Sequence, residues 1–279
     1  MTETEPGILN LRRIREELKP RRIGRCIEHL TSTGSTNDEA WNALKRRGAD
    51  GFVVLAEHQS AGKGRLGRAW LAPRGACILC SLLLVDRRNE LSSSKLVLIT
   101  AIAVYDAIVQ VAHLRPTIKW PNDIMVDRRK LAGILIESRT TDDGGNAYVA
   151  GIGINCLQHR AHFPRELADK ATSLEIEGLH PVDRSSVAVA LLEELDSRLS
   201  EPVSIDDIQL KREWTARAYP LGQRVHLLHR GRSYRGTAID LDPTAALVVQ
   251  LDEGGVRLFG AMDTTILEDD QPAESSSPP

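Results

Sequence analysis

The sequence predicts an α+β protein: a mixed, mostly antiparallel sheet with helices on one face, followed by a small C-terminal barrel of SH3 type. Three observations carry this. The middle of the chain alternates apolar strands with short polar turns, at 127–130 and 140–146, so that successive strands meander. Ser92–His113 is long enough for a helix and shows an apolar face through Leu96, Ile99, Ala103 and Ala107. Beyond Tyr219–Gly222 the pattern changes to short strands separated by Gly, Pro and Asp turns, the grammar of a small barrel.

Residues 1–22 are charged and flanked by proline, with one short helix around Leu9–Leu18. There Arg12, Arg13 and Arg15 beside Glu16 and Glu17 read as a solvated surface. Thr36 followed by Glu39 matches a capping box, which starts a helix from Asn37 to about Arg47 with Gly48 as its C-terminal stop. Gly51–Glu57 is a strand, 59–70 a glycine-rich loop and Ala76–Val85 the returning strand. Ile118–Trp120 is a short strand stopped by Pro121. Asp123–Val126 and Leu131–Ser138 form a hairpin whose turn holds Lys130, and Ala147–Ile154 follows. Asp183–Leu199 and Gln209–Ala218 are helices. Strands at 225–228, 234–240, 246–251 and 256–259 make the barrel, and 271–279 is a disordered tail. The expected division is an N-terminal extension (1–22), a main domain (23–218), the barrel (219–269) and the tail (270–279).

Composition narrows the function classes. Lys and Arg number 36 against 38 Asp and Glu, a formal charge of −2, so any anion binding must be local rather than a whole-protein footprint. No apolar run reads as a membrane span, and the acidic opening does not read as a signal peptide; a cytoplasmic protein is expected. Cys77 and Cys80 form a C-x-x-C, but inside an apolar strand. Residues three apart on a strand point to opposite faces, so the thiols diverge and read as buried rather than as a redox or zinc pair. Cys26 and Cys156 read as isolated buried or half-buried thiols.

The loop 59–70, QSAGKGRLGRAW, concentrates Lys63, Arg65 and Arg68 among Gly62, Gly64 and Gly67. It satisfies G-x-G-x-x-G, yet Pro73, Gly75 and a strand follow instead of a helix, so the dinucleotide-binding context fails. The kinase and Walker patterns fail for want of their companion motifs. What remains is a mobile cationic loop whose free backbone N–H groups suit a polyanion. Each charge-assisted bond to phosphate is worth about 1.5–3 kcal/mol. Ordering backbone costs about 1–2 kcal/mol per residue, so the loop is expected to order over its ligand.

Four further stretches accompany the loop in sequence order: Ser35-Thr36-Asn37, Lys119-Trp120-Pro121-Asn122-Asp123, KLAGILIE from Lys130 to Glu137, and GIGIN from Gly151 to Asn155. Together the five resemble the biotin protein ligases (biotin–acetyl-CoA-carboxylase ligases), in a form without an N-terminal DNA-binding domain. The resemblance implies a class II synthetase-like catalytic domain of the biotin–lipoyl ligase type with an SH3-like domain after it. It also implies a two-step reaction, in which biotin and ATP give biotinyl-5′-AMP and pyrophosphate. The biotin then passes to a lysine of a biotin carboxyl carrier domain, the partner. Neither step needs an enzyme nucleophile, so catalysis would rest on positioning and charge neutralisation.

Carried over by the resemblance, Lys63, Arg65 and Lys130 are the catalytic cations. Ser35, Thr36, Asn37, Gln59, Lys63, Gly64, Arg65, Lys130 and Gly133 bind biotin; Gly62, Arg68, Trp70, Lys119, Asn122, Asp123 and Asn155 bind ATP or the adenylate. Neutral amides and hydroxyls suit a ureido ring, which offers a carbonyl and two N–H groups. Alternatives stand at three positions: Thr36 as a plain helix cap, Trp70 as an adenine platform or a loop anchor, and Asp123 as a ligand contact or a structural partner of Lys119. Mg²⁺ is expected mainly on the phosphates, with no protein ligand assigned. The segment before Ser35 holds too little helix for a helix-turn-helix, so neither DNA nor membrane binding is expected; exposed strand edges make a homodimer possible. Two other functions compete, a lipoyl or octanoyl ligase or transferase on the related fold and a non-catalytic biotin or nucleotide sensor.

Overall fold

The computed structural model describes residues 8–46, 49–200, 206–218, 221–242 and 244–267. The main sheet is built from β1 (Ile27–Leu30), β2 (Phe52–Ala56), β3 (Cys77–Asp86), β4 (Thr117–Lys119), β5 (Asp123–Val126), β6 (Arg129–Thr140) and β7 (Asn146–Asn155). Its order is β1-β2-β3-β7-β6-β5-β4. The β1–β2 pair is parallel and the rest antiparallel. The sheet is therefore mixed and mostly antiparallel, as the turn pattern predicts.

Helices α1 (Leu11–Glu17), α3 (Ser93–Ala112) and α5 (Arg184–Leu199) share one hydrophobic core with one face of this sheet, through Ile14, Ile99, Ala103, Leu191 and Leu195. The short α2 (Thr36–Ala43) covers the other face, seating Ala40 and Trp41 on Phe52, Val54, Leu83 and Val149. In length and mean hydropathy, 1.8, α3 is within the range of a membrane span, yet most of it is buried inside the protein against the sheet and α5. Helices α4 (Leu174–Gly178) and α6 (Asp207–Arg217) complete the set. The strands β8 (Arg224–His229), β9 (Arg232–Leu241), β10 (Leu247–Leu251), β11 (Val256–Phe259) and β12 (Thr264–Leu267) form a second, antiparallel sheet of order β11-β10-β9-β8-β12.

Several local expectations change. Strands β1 and β12 and helix α4, each of only 4 or 5 residues, were not read from the sequence. Ser35, not Thr36, is the N-cap of α2, and the Glu39 carboxylate accepts from the Thr33 hydroxyl (2.7 Å) instead of closing a capping box. Gly48, expected to stop that helix, lies outside the described residues, as does the C-terminal tail. The β5–β6 turn is tighter than expected: Asp127 and Arg128 both have positive φ, and Lys130 lies within β6. α1 is solvated on one side, with Arg12–Glu16 and Arg13–Glu17 ion pairs, but its Ile14 is fully buried. Cys26 is exposed, contrary to expectation, while Cys77, Cys80 and Cys156 are buried. Cys77 and Cys80 do enter different apolar clusters on opposite sides of the sheet, and burial pushes the Cys80 and Cys156 thiols up to about 12.

Candidate functional site

The site is a bare strip on the α2 side of the sheet. Side chains alternate along a strand, so Gly151 and Gly153 of β7 and Gly133 of β6 all face this side. In register, Leu79, Gly153, Gly133 and Asp123 form one row across four strands, and Ser81, Gly151 and Leu135 the next. The glycines are required by what approaches them. A Cβ on Gly151 would sit 2.3 Å from Asn37 Oδ1, and one on Gly153 2.5 Å from the Trp70 indole. The cavity above the strip, about 50 Å³ of water-sized space, is lined by Ser35, Thr36, Asn37, Gln59, Lys63 and Arg65 among others.

One wall is polar and tightly bonded. Ser35, Thr36 and Asn37 are buried at the start of α2. Gln59 Oε1 accepts from the Thr36 backbone N–H (2.7 Å) and from the Thr36 hydroxyl (3.0 Å). Ser81 Oγ lies 2.7 Å from Thr36 Oγ1 and 2.6 Å from Asn37 Oδ1, so its single proton serves one or the other. Asn37 Nδ2 donates to Glu137 (3.1 Å), which also accepts from the Trp41 indole (2.9 Å). Thr36 thus belongs to this wall and is not the cap of α2. Ser81, Trp41 and Glu137 are site-supporting residues that the sequence reading missed. Ser81 sits within an apolar strand, and that isolated buried hydroxyl was the available signal.

The glycine-rich loop folds back on itself. Trp70 N–H donates to the Gly62 carbonyl (2.9 Å) and Gly64 N–H to that of Arg68 (2.7 Å); Lys63 and Ala69 bridge between them. A Cβ on Gly62 would lie 2.5 Å from the Trp70 carbonyl oxygen, so the pinch needs glycine there. Lys63 pairs with Asp38 of α2. Arg65 reaches across the second sheet's end: Nη1 donates to Asn122 Oδ1 (3.1 Å), and Nη2 to the carbonyls of Ala261 (2.6 Å) and Thr264 (3.0 Å). Burial lowers its pKa, Asp123 raises it and Arg68 lowers it again. Arg68 lines the adjoining cleft, of about 580 Å³, with Lys119, Asp123, Asn155 and Gln158.

The Trp70 ring lies against Gly133 and Gly153, with its indole nitrogen buried and unpartnered, and Lys130 Nζ 5.7 Å from the ring centre. Lys130 Nζ is also 2.7 Å from Asp123 Oδ1. The structural partner of Asp123 is therefore Lys130, not Lys119, although the β4–β5 register sets Lys119 directly opposite Asp123 and Lys130 reaches it from β6 past Gly133. Asn122 is held by the Ile134 carbonyl (2.8 Å). Asn155 ties the strand end to the following segment: Nδ2 donates to the Thr172 carbonyl and Oδ1 accepts from Gln158. Trp120 donates its indole N–H to the Ala245 carbonyl (3.0 Å), so it joins the two sheets.

At the end of β2, next to the loop, Glu57 is buried and bonded to Arg184 (2.7 Å), His29 (2.8 Å) and the Leu9 N–H (2.9 Å). Burial pushes its pKa up, but the hydrogen bond with His29, the Arg184 charge and bonds, and the Leu9 N–H together bring it down to about 2. This knot ties α5, α1 and β1 to the strand that delivers Gln59. Among the described residues no cluster of three or more His, Cys, Asp or Glu side chains could hold a metal ion.

Residues 26–155 match the Biotin/lipoate A/B protein ligase family, and residues 221–262 the Biotin protein ligase C terminal domain. The chain is 35% identical over 255 residues to the Biotin--[acetyl-CoA-carboxylase] ligase of Mycobacterium tuberculosis, an alignment spanning 88% of this chain and 91% of that one. The chain belongs to the biotin protein ligase family. It is accordingly an enzyme, a ligase. A second relative, the Bifunctional ligase/repressor BirA of Bacillus subtilis, is 30% identical over 257 residues, 92% of this chain and 79% of that one. Biotin protein ligase from Aquifex aeolicus, solved in complex with biotin and ATP, shares the fold at a TM-score of 0.75. It has 24% identity and covers 87% of this chain and 99% of that one. In this ligase, the motif residues expected from the sequence gather around the glycine strip and the cleft beside it.

Proposed function

We propose that this ligase couples biotin to protein in two ATP-dependent steps. A carboxylate oxygen of biotin attacks the α-phosphorus of ATP, the bond to pyrophosphate breaks, and biotinyl-5′-AMP forms. A lysine amine of a biotin carboxyl carrier domain then attacks the acyl carbon; AMP leaves, and the amine proton passes to solvent. The observation that supports this best is the convergence of Lys63, Arg65 and Lys130 on one cavity whose far wall is neutral and hydrogen-bonding. A carboxylate and a triphosphate repel, and fixed cations remove that barrier. A neutral wall of Ser35, Thr36, Asn37 and Gln59 fits an uncharged ring.

In this reading Lys130, braced by Asp123, holds the carboxylate and α-phosphate oxygens together. Arg65 and Lys63 exchange their present acceptors for the ligand's charged oxygens. Arg65 now bonds neutral acceptors, and an anionic oxygen adds the attraction of opposite charges to the same guanidinium hydrogen bonds. Gly64 and Gly133 allow close approach to biotin. Arg68, Trp70, Lys119, Asn122, Asp123 and Asn155 line the nucleotide side, and Gly62 lets the loop close behind Trp70. Mg²⁺ enters on the phosphates and water. Residues 23–218 act as the catalytic unit and 219–269 as its accessory barrel, in a cytoplasmic setting.

The test is transfer of radiolabelled biotin to a purified carrier domain with and without ATP, with lipoate and octanoate run in parallel. ATP-dependent labelling of one carrier lysine by biotin supports the reading. Preferential lipoate or octanoate transfer would assign the related acyl ligase activity, and biotin binding without pyrophosphate release would assign a sensor.

A further inference from the structure

Beyond the residues that line the cavity, Glu137 has a role that its position alone would not suggest. It stands on β6 two residues past Leu135 and makes no contact with the cavity, yet one of its oxygens, Oε2, accepts from both Asn37 Nδ2 (3.1 Å) and Trp41 Nε1 (2.9 Å). Resting on the proposed biotin reading, we infer that Glu137 is a positioning residue that sets the orientation of the Asn37 amide and so makes Asn37 an acceptor for a ring N–H.

The argument is one of donors and acceptors. An ionised carboxylate only accepts, so the Asn37 amide must turn its NH₂ toward Glu137 and its Oδ1 toward the cavity side, over Gly151. Ser81, the other neighbour, cannot make that choice. Its hydroxyl both donates and accepts, and it has Thr36 Oγ1 as a second partner at 2.7 Å, so it would satisfy Asn37 in either orientation. The side-chain amide of Gln59 is fixed in the opposite sense. Its Oε1 is held by the Thr36 backbone N–H, which leaves Nε2 as the group free to meet a carbonyl. The wall then presents one acceptor and one donor, the complement of a cyclic urea. A dithiolane ring such as that of lipoate has nothing to offer either. Trp41 is itself fixed by Arg139, stacked 4.2 Å over its ring, so the Glu137 oxygen is held from the far side as well.

The experiment measures binding by calorimetry for biotin and for the two cyclic carbamate analogues in which one or other ureido N–H is replaced by oxygen. The proteins are the wild type, Glu137→Gln, Trp41→Phe and the double variant Glu137→Leu with Trp41→Phe, which leaves no unpaired indole. Wild type is expected to reject one analogue by about 100-fold relative to biotin, because its ring oxygen would face Asn37 Oδ1. In the double variant the amide is free to turn, and that ratio is expected to fall by about tenfold while biotin itself weakens. Glu137→Gln keeps an oxygen that can accept from both donors and should retain discrimination, and Trp41→Phe alone should leave the ratio unchanged. A double variant that weakens biotin and analogue equally, or Trp41→Phe alone abolishing the discrimination, would overturn the inference and leave Glu137 as a packing residue. Failure of the wild type to bind biotin would overturn the underlying reading, and the inference with it.

Discussion

Lys130 Nζ and Asp123 Oδ1 lie 2.7 Å apart over the backbone of Gly133, and the same ammonium stands 5.7 Å from the centre of the Trp70 ring. The carboxylate, the indole and the absent side chain together hold a lysine, whose stem is otherwise free to rotate, at one place beside the cavity. Pre-placement of charge is what a reaction between two anions requires, because no reorganisation is then needed at the transition state.

Lys130→Ala is therefore expected to slow pyrophosphate release with biotin and ATP by about 10²–10³-fold, the cost of about 2.7–4 kcal/mol for one removed donor. Asp123→Asn leaves the ammonium in place and should cost less than Lys130→Ala. An unchanged rate for Lys130→Ala in single-turnover measurements would remove Lys130 from the mechanism.

Arg65 joins the glycine-rich loop to the second sheet through the Ala261 and Thr264 carbonyls. Ligand binding that draws Arg65 away should change hydrogen exchange in two places, slowing it across Gly62–Arg68 and altering it around Ala261–Thr264. Arg65→Ala should slow adenylate formation by an amount comparable to Lys130→Ala and abolish the linkage between the two segments. Protection of the loop with no response in the second sheet would argue against the coupling.

Gly153→Ala places a Cβ 2.5 Å from the Trp70 ring. Overpacking of this kind costs about 1–3 kcal/mol, and here it falls on the loop and the cavity rather than on the core. The expected result is at least about a tenfold rise in KM for biotin with a melting temperature close to wild type, since the opposite face of β7 is untouched. A large loss of Tm with normal KM would show that Gly153 serves packing instead.

The Glu57 carboxyl, brought to about 2 in the folded protein against an ordinary 4.5, contributes to stability at pH values above 4.5. That contribution, on the order of 3 kcal/mol, is lost as pH falls from about 4.5 to about 2, because the unfolded chain takes up the proton first. Urea unfolding across that range should show wild type losing stability more steeply than Glu57→Gln. At neutral pH Glu57→Gln should be the less stable protein, because Arg184 stays buried with its charge partner removed. Parallel pH profiles for the two proteins would rule out this role for Glu57.

Much of the molecule was legible in the sequence alone, by reasons local to each segment. The apolar run Ala147–Ile154 after a polar turn and the apolar face of Ser92–His113 both report burial, so β7 and α3 were placed within a residue or two. The cation-rich loop and the motifs around Ser35, Lys119, Lys130 and Gly151 named the residues of the site by type and order. What tertiary structure alone decided is who meets whom. Asp123 pairs with Lys130 rather than with Lys119, its cross-strand neighbour, and the register of β3 on β7 put Ser81 beside Gly151 and beneath Asn37. Arg65 found carbonyls almost 200 residues away, and Glu137 found Asn37 across 100 residues. Such pairings depend on strand register and on the packing of separate elements, quantities set by the whole core at once. No single stretch of sequence carries them.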